Sequence, residues 1–240
     1  MNGSKLFIPL SIVIAGLIIA GAIFFSQSGN NSGREAGEQL DNGDQAAAEV
    51  SVKAVSEDDH IMGNPDAEIF VIEYSDYECP FCGRFHPTME QIMEEYGESG
   101  QVAWVYRHFP LDQIHKQARP AAEASECVAE LGGNAKFWEY SKVLFENSPE
   151  SLSTDNLKSN AVGIGIDEAA YTECVDSGRH AEKVGNMFQD GMAIAQADPQ
   201  FGTPYSIIMS KNGTQVSIPG AQPYSVVKQV IDTLLAGEAQ

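Results

Sequence analysis

The chain is short of positive charge. Fourteen lysines and arginines stand against 34 aspartates and glutamates in 240 residues, a formal net charge of −20. A surface of that sign repels nucleic acid and anionic lipid headgroups, so neither is expected as a partner. It also suits a salt-adapted or acid-rich proteome. Cysteine is scarce as well. Cys79 and Cys82 form a close pair, but Cys127 and Cys174 are solitary and far apart. A structural zinc site usually needs a second close ligand pair, so no metal is expected. Two longer stretches are also marked by absences. Residues 6–25 hold no charge, and from about residue 112 to 198 the strand signal vanishes.

What is present centres on Cys79-Pro80-Phe81-Cys82, where one hydrophobic rhythm gives way to another. The run Ile69-Phe70-Val71-Ile72-Glu73-Tyr74 is apolar, β-branched and aromatic, which predicts a buried strand. Beyond the pair, Phe85, Met89, Ile92, Met93 and Tyr96 recur at helical spacing. The cysteines therefore fall where a strand hands over to a helix. A thiol in a first helical turn faces unpaired N–H groups and the positive end of the peptide dipoles. Such surroundings lower a cysteine pKa from about 8.5 to roughly 3.5–7.5, and the thiolate is the species that attacks disulfides. Pro80 suits the first turn, where its missing N–H costs nothing. Redox exchange is the expected chemistry; half of a zinc site and a static disulfide are the other readings of the motif.

Alternation puts Ile69, Val71 and Glu73 on one face of the strand. Glu73 then lies in the core-facing register below the dithiol, where a carboxylate can pass a proton to or from Cys82. The competing reading is a solvated acid at a strand end. Asp76 and Glu78 would oppose ionisation of Cys79 if they faced it, so they are expected to face solvent. His86, one turn after Cys82, is expected to be partly exposed, and Pro87 to kink its helix.

Val102-Ala103-Trp104-Val105-Tyr106 predicts the next strand, parallel to the first through a right-handed crossover. Helices follow, with Gly132-Gly133 ending the first and with caps at Ser153 and Asp167. Cys127 and Cys174 flank apolar stripes of two of these helices and are expected to bond; the other reading is two separate buried thiols. Asn212-Gly213 predicts a hairpin after the run Tyr205–Met209. Val226, Val227, Val230, Ile231 and Leu234 mark a last helix from about Pro223 to Gly237.

Upstream, residues 6–25 are long enough to span the roughly 30 Å hydrocarbon layer as a helix. Lys5 on the N-terminal flank places that end in the cytoplasm; a cleaved signal peptide is the alternative. Residues 26–56 are polar and without apolar periodicity until Val50, and predict a flexible linker. The division expected is therefore an anchor at 1–25, the linker at 26–56 and a domain at 57–240. Disulfide chemistry fits a domain held outside the cytoplasm.

The segment Val71-Ile72-Glu73-Tyr74-Ser75-Asp76-Tyr77-Glu78-Cys79-Pro80-Phe81-Cys82 resembles the active-site segment of the DsbA-like thiol–disulfide oxidoreductases of the thioredoxin superfamily. The resemblance runs from about Gly63 to the last helix. It implies an α/β thioredoxin-like fold with a helical insertion at about residues 112–198, here following one transmembrane helix and a linker. It further implies that Cys79 and Cys82 form the redox disulfide, that Glu73 relays protons, and that Cys127 and Cys174 are bridged. Thr203-Pro204 is expected to be cis and to face the cysteines, leaving a backbone edge where an extended substrate adds as a strand. Pro80, Phe81, Thr203 and Pro204 would then touch substrate. No cofactor is expected. The implied partners are reduced secreted polypeptides and a membrane-embedded, quinone-linked reoxidase, served by a monomer. Phe81 stands where the best-known members carry histidine and cannot donate to the thiolate, which implies a milder oxidant. A reductase or isomerase of the same fold, and a non-catalytic polypeptide-binding holdase, are the alternatives.

Overall fold

The computed structural model describes residues 52–238. The predicted membrane helix at 6–25 and the predicted linker up to residue 51 lie outside the described residues. Among those described, no helix is long and apolar enough to cross a membrane.

Five strands, His60–Gly63 (β1), Ile69–Ser75 (β2), Val102–His108 (β3), Tyr205–Ser210 (β4) and Gln215–Pro219 (β5), form one sheet in the order β1-β3-β2-β4-β5. Among the described residues six α-helices and a 3-10 turn at Glu150–Leu152 accompany them: Pro80–Tyr96 (α1), Ala118–Glu146 (α2), Thr154–Gly163 (α3), Glu168–Ser177 (α4), Ala181–Ala197 (α5) and Tyr224–Glu238 (α6). β2 is central. It runs parallel to β3, through the α1 crossover, and antiparallel to β4. β5 returns antiparallel to β4 after Asn212-Gly213, and α1 continues through Pro87 as one helix. β1, antiparallel to β3, is absent from the sequence expectation because four residues are too few to display alternation.

Alternation along β2 divides the core. Ile69 and Val71 pack on one side with Phe85, Met89 and Ile92 of α1 and Val227 and Ile231 of α6. Ile72 and Tyr74 pack on the other side with Phe109 and with Ile194 of α5. Full burial of such a side chain contributes about 1.5–3 kcal/mol, so exchanging the two faces by a one-residue slip would forfeit most of the core. α5 comes so close to this second cluster that a Cβ on Gly191 would lie 2.5 Å from Phe109 Cδ2.

The insertion is α2 to α5. α2 is interrupted at Gly133 (φ 79°, ψ 178°), so the two helices expected there abut at a left-handed glycine. Ser153 and Asp167 cap α3 and α4, accepting from the Asn156 and Ala170 amides at 3.3 and 2.9 Å. Cys127 of α2 is bonded to Cys174 of α4. Residues 52–56, the described end of the expected linker, lie on the domain. Val52 and Val55 pack on the second core cluster, and the Arg107 guanidinium donates to the carbonyls of Lys53 and Ala54.

Candidate functional site

β2 ends at Ser75, and a tight turn delivers Cys79 to the head of α1. The Cys79 amide donates to the Asp76 carbonyl at 3.1 Å, and Cys79 is the N-cap residue with Pro80 immediately after it. Cys79 is 5% exposed, whereas Cys82 is fully buried one turn into the helix. Both are free thiols. The loop entering β4 closes the other side: the Cys79 thiol donates to the Thr203 carbonyl at 3.3 Å, and the Thr203–Pro204 peptide bond is cis. Pro204 is buried, with its carbonyl taken by the Gly220 amide. Pro80 and Phe81 face outward, Phe81 being 52% exposed beneath the Arg84 guanidinium.

The two sulfurs differ in acidity. The Cys82 thiol hydrogen-bonds the Cys79 sulfur and, against burial, helps lower the Cys79 pKa to about 6; Thr203 and the backbone N–H groups of Cys82 and Phe81 assist. The Thr203 hydroxyl is buried and lacks a partner among the described residues while the thiol is neutral, which leaves it able to turn toward the thiolate. Burial pushes Cys82 well above the ordinary thiol range, and the nearby charges of Cys79 and Glu73 push it further. One sulfur is thus held ionised while the other keeps its proton.

Glu73 is buried on the face of β2 that looks toward this pair. Desolvation raises its pKa to about 7, against hydrogen bonds that include Trp104 Nε1 donating to Oε2 at 2.9 Å. Its register neighbours are Tyr106 on β3 and Ser206 on β4, both with buried hydroxyls lacking a partner among the described residues. Sequence reading missed these two because only pairing register brings them to Glu73.

The raised Glu73 pKa has a pH signature. Between the ordinary value near 4.5 and about 7, folded Glu73 keeps a proton that the unfolded chain releases. Its contribution to stability is therefore complete below the lower value and lost as pH rises through the upper one. Cys79 acts in the opposite sense: its contribution is present above the ordinary thiol value and lost as pH falls through about 6. In Glu73→Gln, melting curves of the reduced protein should lose the decline between these first two values and keep the rise due to Cys79. An unchanged profile would contradict the buried acid.

Three expectations are corrected. Asp76 does not face solvent: it is buried, accepting from the amides of Glu78 and Leu111, with His115 Nδ1 2.8 Å from Oδ2. Glu78 is half-buried and accepts from the Gln117 amide at 2.6 Å. Both carboxylates are engaged by amide donors, which offset the cost of removing them from water. His86 is buried rather than partly exposed. Its ring packs 5.0 Å from Trp104 and 4.9 Å from Phe145, and burial lowers its pKa to about 4, so it stands neutral.

Among the described residues, metal-type side chains converge at two places besides the thiols: His180 beside the Cys127–Cys174 pair, whose sulfurs are bonded to each other, and the cluster of His60, His108 and Glu126. His60 and His108 place Nε2 atoms 2.8 and 3.0 Å from Glu126 Oε1, and the Lys183 ammonium lies 2.7 Å from Oε2. The two imidazoles hold Glu126 well below the carboxylate range despite its burial. Lys183 already supplies the cation this carboxylate needs, so the cluster is a compensated buried network. The Cys127–Cys174 bridge also lies apart, within the insertion.

Comparison with known proteins agrees with this architecture. The family model described as Thioredoxin matches residues 55–232. The chain is 36% identical over 155 residues to the Na(+)/H(+) antiporter NhaA 1 of Mycobacterium sp. (strain KMS), covering 65% of this chain and 24% of that protein. It is 34% identical over 155 residues to the protein of the same name from Mycolicibacterium gilvum, again 24% of that protein. The chain thus spans about a quarter of the length of the curated relatives it matches. Among solved structures it is similar to alpha-DsbA1 of Wolbachia pipientis, with TM-score 0.63, 24% identity and coverage of 76% of this chain and 94% of that one. Oxidised BdbD of Bacillus subtilis gives TM-score 0.64 and 24% identity over 78% of this chain and 98% of that one. At such identity the likeness concerns the fold, a thioredoxin-like α/β domain with a helical insertion.

Proposed function

Because the chain belongs to the thioredoxin family, matched over residues 55–232, we propose that it is a thiol–disulfide oxidoreductase working through Cys79 and Cys82. The observation that carries this reading is the split in acidity between two adjacent free sulfurs, one lowered to about 6 and the other raised. A structural pair has no use for such a difference. An exchange enzyme does, since the attacking or departing sulfur must be a thiolate while its neighbour waits as a thiol.

In the oxidising direction a substrate thiolate attacks Cys79 in the Cys79–Cys82 disulfide. A substrate–Cys79 bond forms, and Cys82 departs as a thiolate that takes up one proton. Glu73, with its pKa near 7, is suited to supply that proton. The second substrate thiolate then attacks the substrate sulfur of the mixed disulfide and expels the Cys79 thiolate. The substrate gains a disulfide, and its two electrons reside on the enzyme dithiol.

Direction follows from which form is stabilised. An ionised Cys79 favours the dithiol state, which makes the disulfide an oxidant. The Phe81 side chain offers that thiolate no hydrogen bond beyond the one from its backbone N–H, so the effect should be moderate. Titration against glutathione should give a potential between roughly −270 mV, typical of thioredoxin, and roughly −120 mV, typical of a strong oxidase. A value at the thioredoxin end would overturn the oxidase direction in favour of a reductase.

The proposal extends to place and partners. The uncharged run at 6–25, Lys5 before it and the polar stretch after it support a membrane-tethered domain outside the cytoplasm. There the substrates would be reduced, unfolded polypeptides, and a membrane-embedded acceptor would reoxidise the dithiol. The antiporter name belongs to proteins of which the match covers 24%, and no transport role is carried to this chain.

A further inference from the structure

The bridged cysteines of the insertion have a third metal-type side chain beside them. Cys127 lies on α2 and Cys174 on α4, and one ring nitrogen of His180 comes within 4.8 Å of both sulfurs. The local fold arranges this. α4 closes at Gly178, and two residues later His180 opens α5 as its N-cap residue, which returns the imidazole to the side of Cys174. Glu130 stands three residues after Cys127, on the same face of α2, and its Oε2 is 2.9 Å from His180 Nε2. Arg179 meets both Glu130 oxygens at 3.0 Å and fixes the carboxylate. The groups are nested from inside outward: both sulfurs are buried, His180 is half-buried, and Glu130 and Arg179 are exposed. Thiolate and imidazole are ligands that Zn2+ favours, and a metal-binding histidine commonly places its other ring N–H on a carboxylate. Sulfurs bonded to each other are not thiolates and cannot serve as such ligands. Reduction changes that.

We propose that opening the Cys127–Cys174 bridge converts this brace into a Zn2+ site, with Cys127, Cys174 and His180 as ligands and Glu130 as the residue that orients the imidazole. A dithiol reductant supplies the step. It gives two electrons to the bridge and becomes a disulfide, and its two protons pass to Cys127 and Cys174. Zn2+ then bonds both sulfurs, their protons leave to solvent, and the two thiolates balance the charge of the ion. Water takes the fourth position. Two sulfurs and an imidazole suit Zn2+, whereas Mg2+ and Ca2+ take oxygen ligands. A cavity of about 520 Å³ beside His180 offers the way in. Its lining holds five carboxylates, those of Glu57, Asp58, Asp59, Glu126 and Glu130, against one lysine, Lys183, so a cation is drawn toward it. The ion would tie α2, α4 and the start of α5 together in the state that has lost the covalent tie. The site uses neither Cys79 nor Cys82 and stands apart from the exchange reading.

The test uses the full chain carrying Cys79→Ser and Cys82→Ser, so that Cys127 and Cys174 are its remaining cysteines. It is prepared oxidised and phosphine-reduced, and each form is titrated with Co2+ and then Zn2+. The reduced form should take up about one Co2+ per chain, with thiolate-to-cobalt charge transfer and the strong visible bands of a tetrahedral ion. Zn2+ should displace the cobalt and bleach those bands. The oxidised form should show neither band, and Zn2+ should raise the melting temperature of the reduced form alone. Glu130→Gln should weaken Zn2+ binding by about tenfold. His180→Ala, which removes a ligand but no side-chain cap of α5, should weaken it further. Cobalt taken up by the reduced form without charge transfer overturns the site, because the ion then sits on carboxylates or on the His60–His108 cluster. An equal rise in melting temperature of both forms overturns its dependence on reduction. Affinity unchanged in His180→Ala overturns the three-ligand set, and affinity unchanged in Glu130→Gln overturns the orienting role.

Discussion

Cys82→Ser should convert a fleeting intermediate into an isolable one, and Cys79→Ser should abolish exchange altogether. Cys79 is the more exposed residue of the pair, and with its pKa near 6 it is mostly thiolate at about pH 7. Cys82 is fully buried and its pKa is raised, so it cannot serve as the point of entry. Its value lies in nearness. An intramolecular nucleophile competes at an effective concentration of about 10⁵ M or more, so a mixed disulfide on Cys79 survives only briefly while Cys82 is present. Replacing Cys82 by serine removes that escape and should slow resolution by about 10³-fold or more. Reduced Cys82→Ser, mixed with a polypeptide disulfide, should accumulate an adduct seen on non-reducing gels and by mass spectrometry, with the bond mapped to Cys79. Cys79→Ser should give none. A polypeptide-binding holdase predicts a different pair of results, no adduct in either variant and unaltered polypeptide binding in both. Adducts mapped to Cys82 would invert the assignment of nucleophile and resolver.

Much of this site was legible from local pattern. The change from strand to helical periodicity put Cys79 at the head of α1, and strict alternation put Glu73 on the inner face of β2, because both depend on near neighbours alone. Asp76 and Glu78 were misplaced for the complementary reason. Their partners, Leu111, His115 and Gln117, come from a loop more than thirty residues later, and the separation of 39 between Glu78 and Gln117 leaves no local trace. A rule about charge near a thiolate says only where those carboxylates should not point. It does not say which amides receive them. His86 was misjudged likewise, since the rings that enclose it belong to β3 and α2. The Glu126 network needs β1, β3, α2 and α5 together, and β1 itself was too short to see. Local order was readable and long-range satisfaction of polar groups was not. The hairpin at Asn212-Gly213 shows the boundary from the other side: its turn chemistry and its flanking strands are contiguous, and so they were foreseen.

Replacing Cys127 and Cys174 together by alanine should lower stability by about 4 kcal/mol, the loop-closure estimate for a bridge of this span, the sequence separation being 47. The bond joins α2, which packs against the sheet side of the core, to α4, a helix of ten residues with Tyr171 and Cys174 as its buried side chains. So short a helix is marginal by itself and depends on tertiary contacts. Tyr171 of α4 is buried in the core cluster that also holds Tyr140 and Val128 of α2, and a polar link between the two helices lies near the surface: Arg179, just beyond α4, meets Glu130 of α2 at 3.0 Å and Glu173 of α4 itself at 2.9 Å. Exposed pairs of that kind contribute about 0–1 kcal/mol each and fade with salt, too little to stand in for the bridge. Both sulfurs are buried, so the alanines also leave a small void. Unfolding in urea should therefore show a lower midpoint, and the melting temperature should fall by on the order of 10 °C. Because α4 lies apart from Cys79 and Cys82, exchange at low temperature should continue at its normal rate, which separates loss of a brace from loss of chemistry. Coincident unfolding curves for the variant and the parent would show that packing of α4, and not its sulfur, secures the insertion.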